Sequence, residues 1–368
     1  MNGLIERYRA VHRTGQDCRV TSARNMLELH GRRYSYSMIQ GLASCFFFTY
    51  RKRFKPLDML TFSGGDMCRH YWPISGQRME VFENLAYLFN AVLVSREGQE
   101  SLAAHEDMLA FLRNGVPVMV QVSRHSIARH LNREYGYPDF LSGISFGGHY
   151  VTIVAADENR RVATMFDTDH QNVVDIPFDA LIAARCAGDG EPDCFMQSRN
   201  RWAVFIPGTS VASPAHMAGS ALARVVHQLR SAELEEDGAG GLSGLRALCR
   251  DVPLWRDQAA DNPDCLRATV FMLRMHSDLM CGGSLGRRSF GIFVRQTAQL
   301  LKSTELATAA GLYADSAGLW QALMAELEQR VLRPRVPESL DTQPIRDLLS
   351  RIAEVETEAF FQLESGMA

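Results

Sequence analysis

The sequence predicts an α+β protein, in which a mixed domain with an antiparallel sheet is followed by an all-α helical domain. Its 368 residues suit two domains that each bury a core. Short apolar or β-branched runs bounded by turn residues predict strands before residue 207 and are missing after it. The predicted strands are 116–122, 149–155, 161–166 and 202–206, and the predicted helices of the second domain are 266–280, 290–302, 318–332 and 345–363.

The domain boundaries follow from this change of pattern. Residues 1–206 are predicted to form the mixed domain, because Pro207-Gly208 ends its last strand. Residues 207–220 have the Pro, Gly, Ser and Ala content of a linker. Residues 221–368 carry apolar side chains at helical spacing, as in Ile345, Leu349 and Ile352, and are predicted to be helical.

Composition and charge exclude several classes of protein. With 46% hydrophobic and 22% charged residues the chain is globular, and 39 basic against 42 acidic residues give a net charge of −3. This balance gives no electrostatic reason to expect nucleic acid or an anionic membrane as a partner. Residues 1–10 lack the apolar core of a secretory signal, and no run is long and apolar enough to span a bilayer. We therefore expect a cytoplasmic protein, with a homodimer left open.

The cysteines limit the possible chemistry further. None of the eight forms a C-x-x-C pair, so the pattern predicts no metal site. In the cytosol their thiols stay reduced, and most of them are expected to be buried apolar groups. They are Cys18, Cys45, Cys68, Cys186, Cys194, Cys249, Cys265 and Cys281.

Cys18 differs from the others by its position at a predicted helix start. Asp17 is a favourable N-cap, and Gly31 is a natural helix stop. The unpaired N–H groups of the first turn favour a thiolate at Cys18 and can hold an oxyanion. Gln16 is a candidate for an additional side-chain donor to that oxyanion. The alternative is a buried cysteine with no role beyond packing.

His149 is the candidate base. It starts a predicted strand after two glycines, and the turn at residues 157–160 predicts a hairpin whose paired residue numbers sum to 316–318. Such a register brings Asp167 or Asp169 opposite His149, and an even sum excludes Thr168. We favour Asp167 as the residue that orients the imidazole, because it ends the apolar run. The alternative is that His149 caps a strand and the aspartates begin a turn.

Two further groups of residues carry weaker signals. Arg51, Lys52, Arg53 and Lys55 form the densest basic cluster, which suits an acidic protein surface or a phosphate, or else is a solvated loop. Other histidines, among them His12, are expected to lie at the surface or to support the site from behind.

The order of cysteine at a helix start, histidine at a strand start and aspartate on the next strand is that of papain-like enzymes. The stretches 18–27, 35–50, 148–154 and 166–168, with 281–290 in the helical half, resemble butirosin biosynthesis protein H and its relatives. The resemblance covers nearly the whole chain. It departs at Gln16, because papain-like enzymes place the oxyanion glutamine several residues before the cysteine, so the Cys18 N–H is the expected donor.

The resemblance implies a papain-like cysteine-enzyme domain with an appended helical domain. It implies acyl transfer from the phosphopantetheine thioester of an acyl or peptidyl carrier protein to a small-molecule amine or alcohol, with no bound cofactor. By motif, Cys18 is the nucleophile, His149 the base and Asp167 the orienting residue. The alternatives are a cysteine peptidase, amidase or thioesterase on the same triad, or a catalytically inactive binding protein.

Overall fold

A computed structural model describes most of the chain. The described residues are 2–51, 55–56, 70–71, 74–77, 81–133, 145–186, 194–195, 197–230, 233–234, 238–255, 263–275, 277, 284–332 and 340–367.

Helices occur in both halves of the described chain. In chain order the α-helices are α1 (Asn2–Val11), α2 (Cys18–Leu29), α3 (Tyr36–Leu42), α4 (Val81–Leu88), α5 (Ser101–Arg113), α6 (Arg124–Ala128), α7 (Phe178–Cys186), α8 (Pro214–Arg230), α9 (Gly241–Asp251), α10 (Pro263–Met275), α11 (Arg287–Leu301), α12 (Thr304–Leu327) and α13 (Gln343–Met367).

Strands are concentrated before residue 207. They are β1 (Phe46–Arg51), β2 (Lys55–Pro56), β3 (His70–Tyr71), β4 (Ile74–Gln77), β5 (Val92–Arg96), β6 (Val118–Val122), β7 (Ser145–Phe146), β8 (His149–Asp157), β9 (Val162–Asp167), β10 (Val173–Pro177), β11 (Cys194–Phe195), β12 (Trp202–Ile206), β13 (Glu233–Leu234) and β14 (Gly238–Gly240). The predicted α+β class, with antiparallel strands and a helical C-terminal region, is confirmed.

The chain divides into two compact units that interleave along the sequence. The first contains Met1–Tyr34 and Phe89–Ser210, and the second contains Ser35–Leu57, Cys68–Leu88 and Val211–Ala368. The chain passes from the first unit to the second for the last time between Ser210 and Val211, inside the predicted linker 207–220. The division nevertheless differs from the predicted one, because 35–57 and 68–88 are grouped with the C-terminal half. The physical reason is that β1 pairs with β4 and with β14, a strand of that half.

The first unit is built on a six-stranded sheet in the order β10-β9-β8-β6-β12-β5, and neighbouring strands run antiparallel. Its apolar residues form a core with α5 and α7, in which Met108 and Leu181 pack with Val120, Ile153 and Met165. Burial of these side chains is the main stabilising term of the unit. The sheet thereby provides a rigid support for the ends of β8 and β9.

The second unit combines a four-stranded sheet, in the order β13-β14-β1-β4, with the long C-terminal helices. The aromatic run of β1 is core: Phe46 stacks on Phe290 with ring centroids 4.0 Å apart, and Phe48 is 1% exposed. A buried ion pair between Arg287 and Glu356 lies in this core, with N–O distances of 2.8 and 2.9 Å. The same Glu356 carboxylate also accepts from Trp320.

Within the described part of the chain, none of the helices combines the length and the apolarity needed to cross a bilayer.

Candidate active site

Cys18 is the first residue of α2, where the sequence placed it. Asp17 caps the helix, and its Oδ1 accepts the N–H groups of Arg19 at 2.8 Å and Val20 at 3.2 Å. The predicted N-cap is thus confirmed. Cys18 is half-buried, and it carries a thiol that is not in a disulfide. This position exposes the sulfur to the positive end of the helix dipole.

The Asp17 carboxylate also holds the side chain of Arg19. The guanidinium donates to Asp17 Oδ2 at 2.7 Å and to Oδ1 at 3.2 Å. Both residues are buried. The residues on either side of Cys18 are therefore fixed to each other by charged hydrogen bonds.

His149 begins β8 and is completely buried. The turn before it is held by the carbonyl of Gly147, which accepts from the Gln121 side chain at 3.1 Å and from the Ser198 hydroxyl at 2.8 Å. The carbonyl oxygen of Gly148 lies 3.9 Å from the Cys18 sulfur. The start of β8 is thus fixed beside the helix that carries the cysteine.

The structure brings Cys18, His149 and Asp167 together in the predicted order. His149 Nε2 lies 3.0 Å from Asp167 Oδ1, and both side chains are 0% exposed. In the described part of the chain no atom meets the distance and angle of a hydrogen bond to His149 Nδ1. The Cys18 side chain is nevertheless close enough to interact with the imidazole. The ring is therefore held between a carboxylate on one nitrogen and the thiol.

Electrostatics favour a charged imidazole. Burial lowers the pKa of His149. The opposing effects are larger and raise this pKa well above its usual value: they come from the carboxylates of Asp167 and Asp169 and from the contacts with Asp167 and Cys18. Burial raises the pKa of Asp167, but His149, the Asp169 N–H and Arg124 hold it below its usual value. Both pKa shifts thus favour the charged form of each partner.

The hairpin register puts both aspartates on the face of His149 and does not by itself choose between them, because a sum of 318 would set Asp169 directly opposite His149. At the site Val151 pairs with Asp167, so paired numbers sum to 318, inside the predicted range. Asp167 is therefore a diagonal neighbour of His149 on the same face. Asp169 instead forms an ion pair with Arg124, and its N–H donates to Asp167 Oδ1 at 2.7 Å.

His149, Asp167 and Asp169 place one donor atom each within 4.8 Å of one another, close enough to share a metal ion. The chemistry of the donor set does not favour one. Asp169 already pairs with Arg124, and Asp167 pairs with His149, whose charged form cannot ligate. The grouping therefore fits an ion-pair network better than a metal centre.

The other predicted site residues are Gln16 and the basic cluster. Gln16 is exposed in the turn before Asp17, and its role in holding an oxyanion stays a prediction. In the basic cluster, Lys52 and Arg53 lie outside the described residues. Arg51 and Lys55 lie in β1 and β2, and only their backbone is described.

Two polar residues near the site were not predicted from the sequence, and a third was predicted without a definite place. Gln121 is a polar residue within the apolar run of β6, which is a usable signal for a structural hydrogen bond. Ser198 has no such signal. His12, expected at the surface or behind the site, is 3% exposed and hydrogen-bonds to Asn25 and to the His170 carbonyl.

Comparisons with known proteins bear on this site. A family model described as "Butirosin biosynthesis protein H, N-terminal" matches residues 17–168, which include all three members of the triad. A second model, "Domain of unknown function (DUF4872)", matches residues 180–363, half of the chain. Residues 17–168 therefore carry the N-terminal domain of the butirosin biosynthesis protein H family, and the chain belongs to the family that the second model describes. The predicted resemblance is thereby confirmed.

Other similarities are more distant. A solved structure described as a C39-like peptidase from Bacillus anthracis is 13% identical, with a TM-score of 0.31, and the alignment covers 54% of this chain and 92% of that one. No curated protein matches the chain. Family membership and the triad geometry together give the N-terminal part the character of a papain-like cysteine-enzyme domain from an antibiotic-biosynthesis family.

Proposed function

We propose that this protein is an acyltransferase that moves an acyl group from a carrier-protein thioester to an amine or hydroxyl of a small molecule. The observation that carries the proposal is the buried Asp167–His149 pair against Cys18 at a helix N-terminus. Its setting in a family named for butirosin biosynthesis supports a synthetic rather than a degradative reaction.

In the first half-reaction, the proton of Cys18 rests on His149, and the Cys18 thiolate attacks the thioester carbonyl of a phosphopantetheine arm. Asp17 accepts the N–H groups of Arg19 and Val20, so the Cys18 N–H is the first-turn donor that it leaves for the oxyanion. Collapse of the tetrahedral intermediate breaks the carbon–sulfur bond to pantetheine, and its sulfur takes the proton from His149. One thioester replaces another, so the step needs no input of energy.

In the second half-reaction, the acceptor amine or alcohol attacks the acyl group on Cys18. His149 takes and keeps the proton of the acceptor, and Cys18 departs as the thiolate of the starting ion pair. The product is an amide or an ester, and the enzyme regains its starting state. Asp167 keeps the imidazole oriented throughout and stabilises its positive form.

The proposal implies an acidic acyl or peptidyl carrier protein as partner, for which the cluster Arg51, Lys52, Arg53 and Lys55 is the candidate contact. The pantetheine thioester is the donor substrate, and no bound cofactor is required by the chemistry. A carrier protein and a free thiol nucleophile both suit a cytoplasmic setting.

The test is incubation with an acylated carrier protein, followed by peptide mass mapping. We expect the mass of the acyl group on Cys18, its loss when an amine acceptor is added, and no loading of Cys18→Ala. Cys186→Ala, which removes another half-buried free thiol, is the matched control and should load normally.

Three outcomes would contradict acyl transfer to an acceptor. Loading followed only by release of free acid would indicate a thioesterase. Cleavage of peptides or amides without any carrier would indicate a peptidase or amidase. Failure of any acyl group to load, with no product formed above the rate without protein, would leave an inactive binding protein.

A further inference from the structure

His12 is a buried residue for which the proposed reaction has no use. It follows α1, is 3% exposed and packs edge-on against Phe166 with ring centroids 5.1 Å apart. Phe166 precedes Asp167 in β9. A polar ring in such a place must satisfy both of its nitrogens to offset the cost of burial.

Both nitrogens of His12 are satisfied, and the partners fix the tautomer. Nε2 lies 2.8 Å from the carbonyl oxygen of His170, which can only accept, so Nε2 carries the proton. Nδ1 is then an acceptor, and it lies 3.3 Å from the side-chain amide nitrogen of Asn25. Burial lowers the pKa of His12 and is the largest influence on it, which agrees with a neutral ring.

Asn25 is equally engaged. Its amide nitrogen also donates to the Arg13 carbonyl at 3.0 Å, and its Oδ1 accepts the Arg13 N–H at 3.2 Å. Asn25 lies on α2, the helix that begins at Cys18. The His12–Asn25 network, meaning these two side chains with the Arg13 backbone and the His170 carbonyl, therefore links the cysteine helix to the segment that follows Asp167.

Two further hydrogen bonds join the same two segments. Gly15 N–H donates to the Thr168 carbonyl at 3.0 Å, and the Gln171 side chain donates to the Thr14 hydroxyl at 3.2 Å. The first is a backbone bond, and the second is exposed. His12 supplies a buried side-chain connection between the loop that enters Cys18 and the loop that leaves Asp167.

We infer that His12 is a positioning residue, which through Asn25 and His170 sets the placement of the Cys18 helix relative to the Asp167–His149 pair. This inference rests on the proposed function, because it gives His12 a role only if Cys18 is the nucleophile. His12 touches no reacting atom. Its effect is geometric, and displacements of about 1 Å at a reacting centre cost up to about a hundredfold in rate.

The test compares His12→Phe with His105→Phe. Phenylalanine keeps the ring packing and removes both hydrogen bonds of His12. His105 is the matched control, because it is also a buried histidine of the first unit, with its ring edge-on to Phe178. His12→Gln is the conservative variant, since its amide can still donate to the His170 carbonyl.

The probe is iodoacetamide, with the alkylation rate of Cys18 followed by peptide mass mapping near pH 7. We expect about ten- to a hundredfold slower alkylation in His12→Phe, less than twofold change in His105→Phe, and substantial recovery in His12→Gln. Hydrogen exchange should be faster in His12→Phe for the peptides around residues 13–18 and 167–171. Thermal unfolding identifies a variant that fails to fold. If His12→Phe is unfolded, Asn25→Ala decides, because it removes the partner of His12 on α2 and should slow alkylation by a similar factor, whereas an unchanged rate would refute the positioning role.

The outcomes separate the two proposals. If wild-type Cys18 reacts preferentially but His12→Phe reacts equally fast, or if His105→Phe is slowed as much, the positioning role is refuted and the proposed function stands. If wild-type Cys18 is no more reactive than Cys186, the proposed nucleophile fails. The positioning role then fails with it, even where hydrogen exchange shows that the network holds the two loops.

Discussion

Replacing Asp167 by asparagine isolates the charge of the carboxylate from its geometry. Asp167 Oδ1 accepts from His149 Nε2 at 3.0 Å and from the Asp169 N–H at 2.7 Å, and an asparagine oxygen can accept both. Oδ2 is buried and has no hydrogen-bond partner among the residues described. The new amide NH2 group would occupy that place, so Asp167→Asn keeps both hydrogen bonds and loses the negative charge.

The size of the effect follows from the distance between the charges. Two unit charges about 4 Å apart interact by about 4 kcal/mol at an effective dielectric constant of about 20. Asp169 remains and supplies part of the field at His149. We therefore expect a loss of about 2 to 3 kcal/mol, or roughly 30- to 150-fold in the reactivity of Cys18. The unsatisfied amide should also lower the free energy of unfolding by about 1 to 3 kcal/mol.

The assay is the rate of Cys18 alkylation by iodoacetamide near neutral pH, with the free energy of unfolding measured in urea. The matched control is Asp175→Asn, which makes the same change on β10, where the carboxylate is exposed and bonded to Thr164. The control should change the alkylation rate by less than about twofold. If folded Asp167→Asn is alkylated as fast as wild type, the carboxylate does not control the reactivity of the cysteine.

Three further predictions concern stability, each measured by urea unfolding. The charged form of His149 is stabilised in the folded protein, so its pKa is raised. The resulting stability is fully present below the ordinary histidine pKa of 6.5 and is lost as pH rises through the raised value. Wild type should therefore lose more stability than His149→Gln between about pH 6 and pH 10. Glu356→Gln leaves the buried Arg287 guanidinium without its counter-charge and should cost about 3 to 5 kcal/mol; the same change at the more exposed Glu364 should cost under about 1 kcal/mol, and equal losses would contradict this. Gly41→Ala puts a Cβ atom into the ring of Phe293 on α11 and should be destabilising by about 1 to 3 kcal/mol or more, whereas Gly311→Ala, which meets no atom within 4 Å, should not.

The geometry of the triad was predictable because each part rests on local rules. A helix cap places Cys18, and a hairpin turn brings His149 and Asp167 to one face. The hairpin also shows the limit of such reasoning. Next to the turn, Asp157 pairs with Val162, so the sum there is 319, an odd number that would have put Asp167 on the opposite face from His149. An irregularity of one residue between Ile153 and Ala155 restores the even sum at the site. The pattern of side chains carries no signal for that irregularity.

The grouping of residues into units was predictable only in part. The aromatic run of β1 indicates a buried strand, but its partner β14 is almost two hundred residues away, and three residues with two glycines give no strand signal. Long-range pairing of this kind depends on tertiary packing rather than on local preference. The sequence left His12 either at the surface or behind the site for the same reason, because both of its partners come from other segments.

The cap of α2 solves a conflict between stability and reactivity. Aspartate is among the strongest N-caps, yet its negative charge beside Cys18 would oppose a second negative charge on the sulfur. The Arg19 guanidinium lies on that carboxylate with hydrogen bonds of 2.7 and 3.2 Å, so the cap and its partner are together neutral. The helix keeps a strong start, and the proposed thiolate at its first residue would face the positive end of the dipole and the charged form of His149. Arg19→Gln should therefore leave the fold in place and make the site less tolerant of a thiolate, which slower alkylation of Cys18 would reveal.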